Sequence, residues 1–343
     1  MSDRPIRDPG RAGRSAGRVY GGGRPDAHDE GHVYGRATVP HDPRRPPRRR
    51  GVRWGRLFLV LGVLVLVLVV AATATGAYFF NKYDNNVARV GDVFGKLPDR
   101  PAKPASGAMN ILLVGADKAK GGASRSDTIM LMHLPSDRKR AYLISIPRDS
   151  WVPIPGNGRA KINAAFSFGG PSLLVQTVEG FTDVHIDHFM QIDFAGFQQM
   201  TDAVGGVDVP GAGHLDGKEA LKYVRERKSL PRGDFDRIKR QQGFLRALLA
   251  QSTASFNNPF ALARLLDAVS HAVSVDSGLS SGDLRSLVFS MRNLRDGKSI
   301  QFLTAPNTGT GVVGSQSVVF LDKSKGVELW GLVRDDRMGD WQG

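Results

Sequence analysis

The stretch Met109-Asn110-Ile111-Leu112-Leu113-Val114-Gly115-Ala116-Asp117 decides the fold class. Its apolar run over 109–114 is short and stops at a glycine, which is how a buried strand reads. Two further strands are expected at 127–134 and 141–146, separated by the polar turn 135–140. Helical spacing of apolar residues follows at 171–180, 194–204, 217–224 and 235–252, and more strands are expected at 188–192, 206–209 and 300–304. Strands and helices interleave without a second linker, so this region is expected to be one α/β domain on a central sheet.

Upstream the character changes. Residues 1–56 hold 14 arginines, no lysine and 6 acidic side chains, a net of +8 within a chain total of +14. This tail is rich in Gly, Arg and Pro and has too few apolar residues to fold, so a disordered basic tail is expected. A nucleic-acid binder concentrates its excess charge in a folded module, which this distribution does not do. From 57 to 80 there is no charged residue. A helix of that length reaches about 36 Å, against a hydrocarbon core of about 30 Å. Seven arginines between 44 and 56 crowd its N-terminal flank, whereas only Lys82 is basic just beyond it. The positive-inside rule therefore keeps the N-terminus in the cytoplasm and exports the rest from a single-pass anchor in the cell membrane. A cleaved signal peptide would be shorter and nearer the start. Residues 81–107, with Pro98, Pro101 and Pro104, are expected as a juxtamembrane stalk, 108–335 as the exported domain, and 336–343 as a short tail. The chain has no cysteine, which excludes disulfides, thiol nucleophiles and Cys-ligated metals.

Candidate chemistry sits at the expected strand ends, where α/β domains place ligands. Asp117 and Asp127 end one strand and open the next, and two such carboxylates would share one hard cation, most simply Mg²⁺. The alternative is that Asp117 caps a turn and Asp127 pairs with Arg125. Arg148 and Asp149 follow Pro147 and should project from the sheet edge, as a site or as a surface salt bridge. In an extended segment Arg225 and Arg227 point to one side, and in the following helix Arg237 and Gln241 share a face. Two such faces would surround one anion with guanidiniums, whose paired N–H groups suit phosphate oxygens. A solvated basic stretch is the alternative, although Phe244, Leu245, Leu248 and Leu249 give that helix a buried side. His185 and His188 read as structural. There is no Walker loop, GxSxG elbow or HExxH.

The segments "LLVGADK", "RSDTIMLMHL", "SIPRDSWV", "KINAAFSFGGP", "HFMQIDFAGFQQMTDAVGGVDV", "GKEALKYVRERKSLPRGDFDRIKRQQGFLRAL" and "FLTAPNTG" occur in that order. In this the chain closely resembles the LytR–CpsA–Psr family of bacterial cell-wall enzymes, over about residues 108–335. The resemblance implies a three-layer α/β/α domain with a mixed central sheet. It implies a phosphotransferase that moves a glycopolymer, with its linking phosphate, from a polyprenyl-pyrophosphate carrier to peptidoglycan. By the same resemblance Asp117 and Asp127 would hold Mg²⁺. Arg125, Arg148, Arg225, Arg227, Arg237 and Gln241 would grip the pyrophosphate, and Asp149 and Asp234 would orient those arginines or act as base. The carrier's tail needs an apolar groove, for which Leu173, Leu174, Val175, Phe194, Phe197, Leu245, Leu248 and Leu249 are candidates. Competing readings are a non-catalytic binder of wall polymer or carrier lipid, a lipid pyrophosphatase, and a transcriptional regulator. The last needs a helix-turn-helix that the tail has no apolar periodicity to build.

Overall fold

The computed structural model describes residues 86–116, 126–227, 229–255, 258–280 and 299–342, together with Val67 and Asp283. The expected tail and membrane segment at 1–80 lie outside the described residues, apart from Val67. Among the described residues no helix is long and apolar enough to cross a membrane. In chain order the elements are β1 (Ala88–Arg89), β2 (Met109–Ala116), β3 (Ser126–Leu134), β4 (Ala141–Ser145), β5 (Trp151–Ile154), β6 (Gly158–Lys161) and α1 (Ile162–Thr182). Then come β7 (His188–Ile192), α2 (Phe194–Ala203), β8 (Val207–Val209), β9 (Gly213–Leu215), α3 (Gly217–Arg225), α4 (Asp234–Ser255) and α5 (Pro259–Ala272). The last are β10 (Val273–Val275), β11 (Ile300–Thr304), β12 (Asn307–Val313), β13 (Gln316–Leu321) and α6 (Lys323–Arg334), followed by a 3-10 turn at Met338–Asp340.

The result is an α/β domain on a mixed seven-stranded sheet, in the order β1-β10-β7-β2-β3-β4-β11. β2 pairs antiparallel with β3 and parallel with β7, and β4 pairs antiparallel with β3 and parallel with β11. Because side chains alternate along a strand, β2, β3 and β4 feed two cores at once. Leu112, Val114, Ile129, Leu131, Tyr142 and Ile144 pack with Leu174, Val175 and Val178 of α1 and with Leu329, Trp330 and Val333 of α6. Ile111, Met130, Met132 and Leu143 pack on the opposite face with Leu245 and Leu249 of α4. Strands buried on both sides read as unbroken apolar runs, which is why β2 stands out in the sequence. A third cluster joins the β8–β9 hairpin to α3 and α4 through Val207, Val209, Ala220, Val224 and Phe244.

The helix expected from Pro171 begins nine residues earlier at Ile162. Gly169 and Gly170 break its geometry, Gly170 at a φ of 64°, and Pro171 restarts it. Proline suits a first helical turn because its missing N–H is not needed there.

Residues 86–107, expected as a stalk, instead lie against the domain. β1 pairs with β10, and Val93 is buried in the α1 core. Arg100 grips the buried Glu179 through Nε and Nη2, and Glu179 also accepts from Ile186 N at 2.9 Å. Lys103 Nζ reaches Asp187 at 2.6 Å, and Pro101 O is 2.8 Å from His185 Nδ1. Prolines suggested a spacer, but the apolar and charged residues between them find partners across the sheet. The expected tail at 336–343 likewise docks, with Met338 buried in the same core. Arg100→Ala leaves a buried carboxylate without its cation and is expected to lower stability by about 3 kcal/mol. Urea denaturation measures this, and a loss within about 0.5 kcal/mol would show that 86–107 is a passive stalk after all.

Candidate active site

The end of β2, the start of β3 and the ends of β4, β7 and β11 all lie at one end of the sheet, as their pairing directions require. Asp127 stands at the start of β3. Arg148 and Asp149 follow β4, where Pro147 ends the ladder, and Asp193 and Phe194 follow β7. α4 lies across this end through two buried polar ties. Arg237 Nη2 donates to Asp127 O at 3.2 Å. Gln242 Nε2 donates to Leu303 O at 2.9 Å and to Ser145 Oγ at 3.0 Å, fixing the helix to β11 and β4.

Between them Arg148 forms the centre of a charged network. Its Nη1 donates to Asp127 Oδ1, and its Nε lies 3.8 Å from Asp234 and 4.0 Å from Asp149. Asp234, at the first turn of α4, is paired with Arg237; the two side chains are 7% and 4% exposed. Asp149 is held by Lys161 at 3.3 Å and Arg227 at 3.5 Å. Arg225 lies 4.0 Å from the second Asp127 oxygen and stacks on the Phe194 ring at 4.1 Å. Gln241 Nε2 donates to Val224 O at 3.2 Å. Arg148, Arg225, Arg227, Arg237 and Gln241 thus line one cavity together with Asp127. Arg148 pairs most closely with Asp127 and at 4.0 Å with Asp149, as part of a largely buried network and not as an isolated surface salt bridge. The extended segment expected at 225–227 is also corrected. α3 continues through Arg225 and the chain turns extended at Glu226, so the two arginines arrive from a helix end and a loop.

Asp117 and Arg125 lie outside the described residues. No group of three or more His, Cys, Asp or Glu converges among the described residues. His185 and His188 serve structure, His188 standing 3.2 Å from Asp276. Lys161 and Gln242 received no role from the sequence, although both lie inside quoted segments. A cation that starts a helix beside the "SIPRD" loop was the available signal for Lys161.

The cavity measures about 810 Å³. Its floor is apolar, formed by Leu113, Met130, Leu143, Phe197, Phe244 and Leu245 on the α4 face of the sheet. Of the groove residues expected from the sequence, Phe194, Phe197 and Leu245 line it. Leu174 and Val175 do not, because α1 packs on the other face, and Leu173 sits at the edge of that same core. Leu248 and Leu249 are taken up in packing α4.

Charge burial leaves its mark on Asp234. Burial holds its carboxyl above the ordinary carboxylate range, against the pull of Arg237, and the Asp149 charge adds to the shift. Burial also pushes Arg237 below its ordinary value. Arg148 Nε, Arg237 Nε and both Asp234 oxygens are buried without an aligned hydrogen-bond partner. Donors left in this state are ready for an anion that brings its own acceptor oxygens.

Fold and site define an α/β protein with an arginine-rich cluster set over an apolar cavity. A model of the LytR_cpsA_psr family matches residues 82–211 and 209–332. The chain is 36% identical over 287 residues to the probable cell wall biosynthesis protein LcpB of Corynebacterium glutamicum, covering 71% of this chain and 65% of that protein. It is 39% identical over 189 residues to the polyisoprenyl-teichoic acid–peptidoglycan teichoic acid transferase TagU of Oceanobacillus iheyensis, covering 49% of this chain and 59% of that protein. These matches therefore span less than two thirds of the relatives' lengths. The crystal structure of TagV from Bacillus subtilis superposes with a TM-score of 0.57 at 29% identity, covering 68% of this chain and 98% of that one. The chain belongs to the LytR–CpsA–Psr family.

The raised Asp234 carboxyl has a consequence for stability. Its contribution is fully present below about pH 4 and is lost as pH rises through the folded-state value. Asp234→Asn removes that loss, so its stability relative to wild type is expected to climb as pH rises above the ordinary carboxylate range. Denaturant titrations at rising pH measure it, and a constant gap would mean that Asp234 titrates alike in the folded and unfolded chain.

Proposed function

We propose that the protein transfers a glycopolymer, with its linking phosphate, from a polyprenyl-pyrophosphate carrier to peptidoglycan. The observation that carries this reading is the meeting of four arginines and an apolar cavity at one mouth. A donor of this kind has a polyanionic head and a long apolar tail, and each half finds its chemistry there. The names of the Corynebacterium and Oceanobacillus relatives, a cell wall biosynthesis protein and a teichoic acid transferase, support the same reading.

In the proposed reaction an acceptor hydroxyl oxygen attacks the phosphorus that bears the glycan. The bond between the two phosphates breaks, the carrier leaves as its monophosphate, and a phosphodiester to peptidoglycan remains. Charge gathers on the leaving and equatorial oxygens, where preorganised guanidiniums stabilise it without reorganising. Arg148 and Arg237 are held in place by Asp234, whose buried oxygens make it a positioning residue. Asp149 is the more open carboxylate and is our candidate to accept the hydroxyl proton. Asp127 offers one oxygen to Arg148 and keeps the second largely free, a hard donor that fits Mg²⁺. Asp127 and Asp117 would hold that ion, which when bound would neutralise phosphate charge. The uncharged run at 57–80 would anchor the domain to the cell membrane, with the N-terminus cytoplasmic, within reach of a donor whose head lies at the bilayer surface.

The test uses the full chain in detergent with a radiolabelled polyprenyl-pyrophosphate glycan, peptidoglycan and Mg²⁺. Wild type is expected to move label to peptidoglycan. Arg148→Ala is expected to slow transfer by about a hundredfold or more, and chelation should do likewise. Asp149→Asn is expected to slow it by about a hundredfold while carrier binding persists. Label released only into water would replace transfer by hydrolysis, and carrier binding without turnover would make the protein a binding module.

A further inference from the structure

The segment "FLTAPNTG" opens a stretch that the pyrophosphate site does not use. No charged residue occurs between Lys298 and Asp322, in a chain where 23% of residues are charged. This stretch supplies β11 and the β12–β13 hairpin, and the hairpin is bonded directly to the site. Val319 N donates to Asp149 O at 2.9 Å, and Ser150 and Val319 form a parallel bridge. Both bridged residues are buried. Alternation turns the next pair, Trp151 and Phe320, to the opposite side of two adjacent strands. There Trp151 is half-buried and Phe320 is 38% exposed.

Phe320 lies close over a glycine backbone. A Cβ at Gly311 would fall 2.5 Å from its Cε2, so the side-chain-free Gly311 is what lets the ring lie flat on the strand. Beside it Thr308 is exposed and donates to Phe320 O at 3.4 Å, and Gln316 is exposed further along the same face of β13. Flat aromatic surface beside uncharged hydroxyls and amides, one residue from the backbone of Asp149, suits a pyranose ring. Its C–H face packs on an aromatic, and its hydroxyl and acetamido groups exchange hydrogen bonds with neutral donors and acceptors. The cations nearest this surface are Lys161, opposite Trp151 on β6 and paired with Asp149, and Arg159, which donates to Trp151 O at 3.1 Å.

We infer that the Trp151–Phe320 surface and the β12–β13 hairpin bind the neutral sugar rings of the acceptor glycan and lead its hydroxyl to Asp149. This assignment rests on the transfer reaction proposed above and adds its acceptor subsite.

A binding measurement without donor keeps the two readings apart. An uncharged oligosaccharide of β-1,4-linked N-acetylglucosamine is titrated into the full-length protein in detergent by calorimetry, with wild type, Phe320→Leu and Phe320→Tyr compared. Leucine still covers Gly311 with an apolar side chain but lacks a flat face, whereas tyrosine keeps the ring. Wild type and Phe320→Tyr are expected to bind alike, and Phe320→Leu about two- to tenfold more weakly. In the transfer assay the same change should raise the KM for acceptor and leave the KM for donor as it was. Absence of oligosaccharide binding by wild type, or equal binding by all three proteins, overturns the assignment. Matching rises in both KM values overturn it too, since they would mark a general disturbance of the site. Binding that follows the ring while wild type moves no label to peptidoglycan refutes the proposed reaction and upholds the sugar-binding surface.

Discussion

The buried contact between Arg237 and Asp234 governs the rest of the site. It sits at the first turn of α4, and from it Arg237 reaches across to the backbone of Asp127 on β3. The guanidinium therefore sets the distance between helix and sheet end, and with it the height of the cavity between them. Gln242 repeats the tie on the β4–β11 side. Leu245 and Leu249 of α4 pack with Met130 on the sheet face, and the two polar ties fasten the start of the helix to the sheet end.

That arrangement is expensive in stability. A buried ion pair recovers its desolvation only when every remaining donor and acceptor is satisfied. Here Arg148 Nε, Arg237 Nε and both Asp234 oxygens are not. Outside the site the same state occurs at His133 Nε2, Asp187 Oδ1 and Asp336 Oδ1, whereas Glu179 accepts from both Arg100 and Ile186. At the sheet end an incoming phosphate would accept from the two open donors, Arg148 Nε and Arg237 Nε.

How far the sequence could be read follows from how locally each feature is encoded. β2 was recognisable because a strand covered on both faces carries an apolar run, here Ile111–Val114, that stops at a turn residue. The arginine cluster was recognisable as chemistry because it lies in one dense segment. Its geometry was not, since the partner of Arg148 is Asp127, on a strand that pairs with β4 only in the fold. β12 was missed because alternate glycines, Gly309 and Gly311, hide a strand that the Phe320 ring helps to cover. β10 was missed because it follows α5 with no turn residue between them. α5 was missed as well, although Asn258-Pro259 is a start signal, the Asn258 side chain accepting from Phe260 N and Ala261 N. Residues 86–107 were misread for a different reason. Prolines mark a break in local structure, but whether the intervening Val93 and Arg100 are buried depends on partners some eighty residues away.

The sheet also partitions the proposed chemistry. The apolar cavity opens on the face covered by α4, while the hairpin joins the side where β5 and α1 pack. Between them the loop carrying Arg148 and Asp149 crosses the end of β4, so the Arg148 side chain lines the cavity and the Asp149 backbone oxygen accepts from Val319 of the hairpin. In-line displacement at phosphorus needs nucleophile and leaving group on opposite sides of the transferred group. A single pocket holding both substrates would have to turn one of them around. A sheet end with an apolar cavity on one side, aromatic surface on the other and guanidiniums along the rim would supply that opposition through topology, and in the proposed reaction the carrier would depart into the cavity that holds its tail.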